Sequence, residues 1–196
     1  MMGNHTKVAS AALAILLGLP AAGIAQSRPM YELPALQVTA LQNPLHAQAA
    51  ELYETPERWV EAAKLHERAA RQLPKKDAGQ YFGFRQASLL YFYSDKLGAA
   101  RSSMERAADV AEATGDVLTA AHAWVDAAFI AVAEGYGGKY REFVANAREL
   151  ASSELLVDTE QAAILERIEG APISARAAQV ALLERFPGLA ATDVGD

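Results

Sequence analysis

The chain has 196 residues, with 18 Lys+Arg against 24 Asp+Glu and a formal net charge of -6 at pH 7. That length holds one domain with a substantial core, and the acidic balance opposes nucleic acid, whose phosphates need a dense Lys/Arg footprint. There is no cysteine, which excludes disulfides, thiolate metal sites and thiol nucleophiles.

Residues 1–25 have the layout of a secretory signal peptide: Lys7 near the start, an apolar run over 8–19, then Pro20 and the small residues Gly23 and Ala25. Cleavage is expected after Ala25. The run of about 12 apolar residues is short of the roughly 20 that span a bilayer. The expectation is an exported protein, periplasmic or secreted, with no membrane span in the mature chain. Residues 26–42, with Pro29 and Pro34, read as an extended or disordered arm.

From position 43 the chain reads as helix interrupted by capping and breaking residues. Thr55-Pro56-Glu57 supplies an N-cap, a proline at the first helical position and an acid near the positive helix end. The helix it opens should reach Leu73 and stop at Pro74. Asp77 is placed to cap a helix over 81–93, and another over 96–113 is closed by Gly115. Asp116 caps its successor, which extends to Glu134. Gly135, Gly137 and Gly138 predict a turn before a helix over 140–152. Asp158 and Gln161 form a capping-box pattern for a helix to Glu169, and Ser174 caps a last one ending before Pro187. The pattern predicts an all-α protein of about eight helices with no strand.

A repeat runs through the first of these helices. In a frame opened at Asn43, the residues His46, Ala49, Ala50, Tyr53, Trp59, Ala62, His66, Ala69 and Pro74 recur as Phe84, Ala87, Ser88, Tyr91, Leu97, Ala100, Met104, Ala107 and Glu112 in a frame opened at Tyr81. A third frame, from Ala121, matches through Trp124, Ala127, Ala128 and Ala131. Small residues stand where two helices of a pair would touch, and large ones where they would fill the gap. Over 43–152 the pattern resembles the tetratricopeptide repeat, a 34-residue helix-turn-helix unit. The second frame departs from it by lacking the closing proline, and the third by its glycine turn. The resemblance implies antiparallel helix hairpins stacked as a short right-handed superhelix, with residues 153–188 as a C-terminal capping helix pair and 189–196 as a disordered tail. The last helix is expected to turn Val180, Leu183 and Phe186 inward and Arg176, Gln179, Glu184 and Arg185 outward.

Motifs for chemistry are missing. His46 and His66 occupy inward repeat positions and read as core. His122 and Asp126 lie one turn apart, but no third metal ligand can be assigned. The glycine run ending in Gly138-Lys139 is followed by Tyr140 where a phosphate loop needs Ser or Thr, and serine-nucleophile signatures are not found. No catalytic residue, cofactor or metal is expected.

The resemblance implies a concave groove lined by the first helix of each pair. Its groove positions hold Glu51 and Glu54 in the first unit, Phe82, Arg85, Leu89 and Tyr93 in the second, and His122, Val125 and Phe129 in the third. The second helix is apolar on both faces and must be covered on both, by later helices, by the arm or by a partner. The expected function is a non-catalytic adaptor that holds a protein or peptide partner in this groove. The alternative is a carrier that closes its helices over a small apolar ligand.

Overall fold

The computed structural model describes residues 27–28, 43–185 and 188–189. The expected signal segment, nearly all of the arm, Phe186 and most of the tail lie outside these residues. Eight α-helices follow in order: α1 (Pro44–Ala50), α2 (Trp59–Gln72), α3 (Gly79–Tyr93), α4 (Leu97–Ala113), α5 (Val117–Glu134), α6 (Gly137–Ala151), α7 (Asp158–Glu169) and α8 (Ala175–Arg185). A 3-10 turn, Pro56–Arg58, leads into α2, and a two-residue parallel pairing joins Ser27–Arg28 to Gly188–Leu189.

The expected punctuation mostly operates. Asn43 accepts the Leu45 N–H at 2.9 Å and starts α1, and the Asp116 carboxylate accepts the Thr119 N–H at 3.1 Å to start α5. Gly115 and Gly135 close α4 and α5 at φ 79° and 82°, a conformation that favours glycine. Three expectations are corrected. Thr55 caps nothing with its side chain. The helix expected over 140–152 begins at Gly137, so only Gly135 of the three glycines is spent on the turn. Asp158 is inside α7 rather than its cap; the Glu160 carboxylate accepts the Val157 N–H at 3.1 Å, while Gln161 donates to the Ser153 and Leu156 carbonyls.

Each helix from α1 to α6 packs on the next, and side chains also reach every second helix. The His46 ring on α1 meets Phe82 on α3, Glu67 on α2 accepts from Ser103 on α4, Lys139 on α6 donates to Glu105 on α4, and Arg167 on α7 donates to Asp126 on α5. Alanines make this close approach possible: Ala62, Ala63, Ala87, Ala100, Ala107, Ala108, Ala127 and Ala128 are all fully buried. Gly83 marks the tightest point, since a Cβ there would sit 2.8 Å from both the Ala70 methyl and the His66 carbonyl.

The two central helices are covered on nearly every side. In α3 every residue from 82 to 92 except Arg85 is buried, and in α5 every residue from 120 to 133 except His122 and Val132. α5 is long and apolar enough to cross a membrane by length and composition, and 67% of it is buried inside the fold. Its lack of a polar face follows from having neighbours all round.

The last helix corrects two expectations. α8 docks against α5, with Ala178 and Leu182 inward, while Val180 is 49% exposed. It turns back across the stack instead of forming its main contact with α7, so 153–185 is not a simple terminal hairpin. Leu182, not Val180, carries the inward stripe because the helix approaches from the side of α5.

Candidate functional site

The nine residues assigned to the groove separate by burial. Phe82 and Leu89 on α3 and Val125 and Phe129 on α5 are buried; Arg85, Tyr93 and His122 are half-buried; Glu51 and Glu54, after α1, are exposed. The apolar residues therefore form no open floor. The rings of His46 and His66 stand edge-on to Phe82 at 5.0 and 6.0 Å, the Arg167 guanidinium lies 5.9 Å above the Phe129 ring, and α8 rests on α5. Phe82 belongs to the packing between α1, α2 and α3. What remains at the surface of this side is a rim of Arg85, Tyr93 and His122.

The helices fix that rim tightly. Tyr93 ends α3, with its ring against Trp59 at 6.0 Å and Phe92 at 5.8 Å. Burial pushes its phenol up to about 12, against the opposing pull of the Arg85 charge. On α5 and α7, Arg167 donates to Asp126 Oδ1 at 2.7 Å and to His122 Nδ1 at 2.8 Å. Arginine has no acceptor, so His122 Nδ1 carries a lone pair and its proton is on Nε2. The His122–Asp126 pair holds a guanidinium where a metal would otherwise sit, and no group of three metal-ligating side chains occurs among the described residues.

One residue of this side escaped the sequence reading. Gln86 lies one turn from Phe82 and one turn from Leu89, on the groove side of α3, and is 5% exposed. Among the described residues its amide makes no hydrogen bond, whereas the other buried polar side chains of the neighbourhood are satisfied: Ser88 donates to the Ala100 carbonyl and Ser103 to Glu67, both at 2.7 Å. A carboxamide has two donor hydrogens and an acceptor oxygen, and leaving such a group buried without partners costs about 1–3 kcal/mol. The signal was present as the lone carboxamide within the mostly apolar stretch from Phe82 to Tyr93, beside Arg85 and Ser88.

A separate groove of about 280 Å³ lies between α4 and α6. Five carboxylates line it, from Glu105, Asp109, Glu112, Glu142 and Glu149, with Trp124 at its wall. Burial and the neighbouring Glu105 and Glu112 charges raise the Asp109 carboxyl above its ordinary value. Lys139 bridges Glu105 and Glu142 at 2.9 Å each and offsets part of this charge. The lining is that of a polar surface groove, unlike the apolar cavity a carrier of an apolar ligand requires.

Fold and site together define an all-helical protein in which successive helices pack on one another around two largely buried central helices. No known protein family matches the chain, and no curated protein or solved structure compared with it does so either.

Proposed function

We propose that the protein is an exported, non-catalytic adaptor of tetratricopeptide-like architecture, which holds a protein or peptide partner along the groove side of α3. The observation that carries this reading is Gln86. Buried amides in folded proteins are paired, and an unpaired one calls for an explanation. A partner that presents both a carbonyl and an N–H supplies one, because a peptide backbone satisfies a carboxamide in both directions. Arg85 and Tyr93 flank the position and add a positive charge and a phenol at the rim.

The contacts between alternate helices support a stacked architecture, in which α3, α5 and α7 face one side and α2, α4 and α6 the other. With α8 lying on α5, the partner's main contact is with α3 and its rim. Site-specific photo-crosslinking of the full chain in an envelope extract tests this. Crosslinkers at Arg85 and Tyr93 are expected to yield a discrete protein adduct, and crosslinkers at Arg106 and Glu142 on the opposite side none. Equal adducts from both sides, or none from the α3 side, would refute the reading.

A further inference from the structure

The contact that fixes α1 is made by two histidines. α1 has seven residues, far below the length at which a helix persists alone, so it stays folded only through packing. Its buried residues are His46 and Ala49. His46 Nδ1 is 2.6 Å from His66 Nδ1 on α2, and the other His66 nitrogen, Nε2, is bonded to the Tyr53 hydroxyl in the segment that follows α1. Among the described residues Tyr53 has no other acceptor, so its O–H donates to His66 Nε2. His66 then donates from Nδ1 to His46 Nδ1. A further proton disrupts this chain: on His46 Nδ1 it faces the His66 Nδ1–H at 2.6 Å unless His66 changes tautomer and the Tyr53 hydroxyl turns from donor to acceptor, and protons on both imidazoles put two N–H groups face to face.

Among the described residues no anion stands near enough to stabilise an imidazolium there. α1 carries no charged side chain, and Glu51 and Glu54 beyond it are exposed. On α2 the neighbours of His66 one turn away in each direction are Ala62, Ala63, Ala69 and Ala70, all buried. The adjacent Glu67 is turned to Ser103, Arg71 and Arg106. From α3 the pair meets the Phe82 ring edge and the gap left by Gly83. The nearest charge on that helix, Arg85, is positive; Tyr81 beside Phe82 and Tyr53 itself are neutral phenols. Among the described residues no group facing the pair carries a negative charge.

We infer that the His46–His66 contact is an acid-sensitive latch, whose protonation detaches α1 and the following segment through Tyr53 and uncovers Phe82, while α4 to α7 stay folded. Burial holds His46 at about 4 and His66 well below its ordinary value, against 6.5 for an imidazole in water. Because the folded-state values lie below the unfolded one, the latch has its full strength above about pH 6.5 and loses it as pH falls from there towards 4. At pH 5 each released imidazole favours the open form about 30-fold, so two favour it about 1,000-fold relative to pH 7.5.

Native-state hydrogen exchange on the full chain, corrected for the intrinsic pH dependence of amide chemistry, reads this out by region. The opening equilibrium of the amides at 48–53 is expected to rise by two to three orders of magnitude (about 1,000-fold for both histidines) between pH 7.5 and 5.0, with the amides at 127–131 in α5 changing less than tenfold. Replacing His46→Leu and His66→Leu together removes the rise. In the wild type, imidazole ¹⁵N shifts should also show both rings neutral at pH 5.5. Equal protection of 48–53 at the two pH values, opening of α1 and α5 in parallel, or a ring that titrates near 6.5 in the folded state would each overturn the latch.

Discussion

Phe143→Ala is expected to destabilise the protein by about 3–5 kcal/mol, the cost of removing a large aromatic side chain from a site that cannot collapse. Phe143 on α6 is fully buried, lies 5.3 Å from the Trp124 ring on α5, and has the Lys139 ammonium 5.2 Å from its centroid. The substitution thus empties the seam between α5 and α6 and removes a ring partner of Trp124. Urea unfolding followed by tryptophan fluorescence measures the loss, and a value under about 1 kcal/mol would mean that the seam is not packed as described. In a stack where each helix leans chiefly on its neighbours, exchange protection should fall most in α6 and α7 and least in α2 and α3.

Phe82→Ala is expected to cost a similar amount, about 3–4 kcal/mol at pH 7.5, for a different reason. Phe82 is 1% exposed and closes the apolar side of the His46–His66 pair. Its removal leaves a void beside two imidazoles, and water entering that void relieves part of the desolvation that holds their pKa values down. The variant should therefore be less stable at neutral pH, with a smaller loss relative to the wild type at pH 5.5, because imidazoles whose folded-state values lie closer to 6.5 are penalised less by acid. Thermal melts at pH 7.5 and 5.5 separate the two effects. A variant destabilised equally at both pH values would show that Phe82 acts by volume alone.

The helical part of the fold could be read from the sequence because its signals are local. Asp116, Gly115 and Gly135 act as caps within a few residues of where they stand, and the alanines at repeat spacing are the buried contact points between helices. What failed depended on partners distant in the chain. The periodicity of α8 offers Val180 as readily as Ala178 and Leu182, and the choice is made by the return of α8 to α5, against which Leu183 is partly buried as expected. The same applies to the groove. Repeat position places Phe82, Leu89, Val125 and Phe129 on one side, but their exposure depends on His46, Arg167 and α8, which the frame does not encode. His46 and His66 read correctly as core, yet their mutual hydrogen bond joins residues 20 apart in sequence, and the repeat frame marks both only as inward positions of the first unit. Likewise, the significance of Gln86 lies in an absence of partners, which only the packed structure shows.

A partner on the groove side of α3 is tied most directly to Gln86, and one paired measurement addresses it: the melting temperature and the partner capture of Gln86→Leu beside the wild-type full chain. Leucine keeps the bulk and removes the unpaired amide, so the variant is expected to be at least as stable as the wild type, by up to about 1–2 kcal/mol. It should fail to retain the proteins that the wild type holds from an envelope extract. A variant that melts well below the wild type, or one that captures the same proteins to the same extent, would contradict the assignment of Gln86 to a partner.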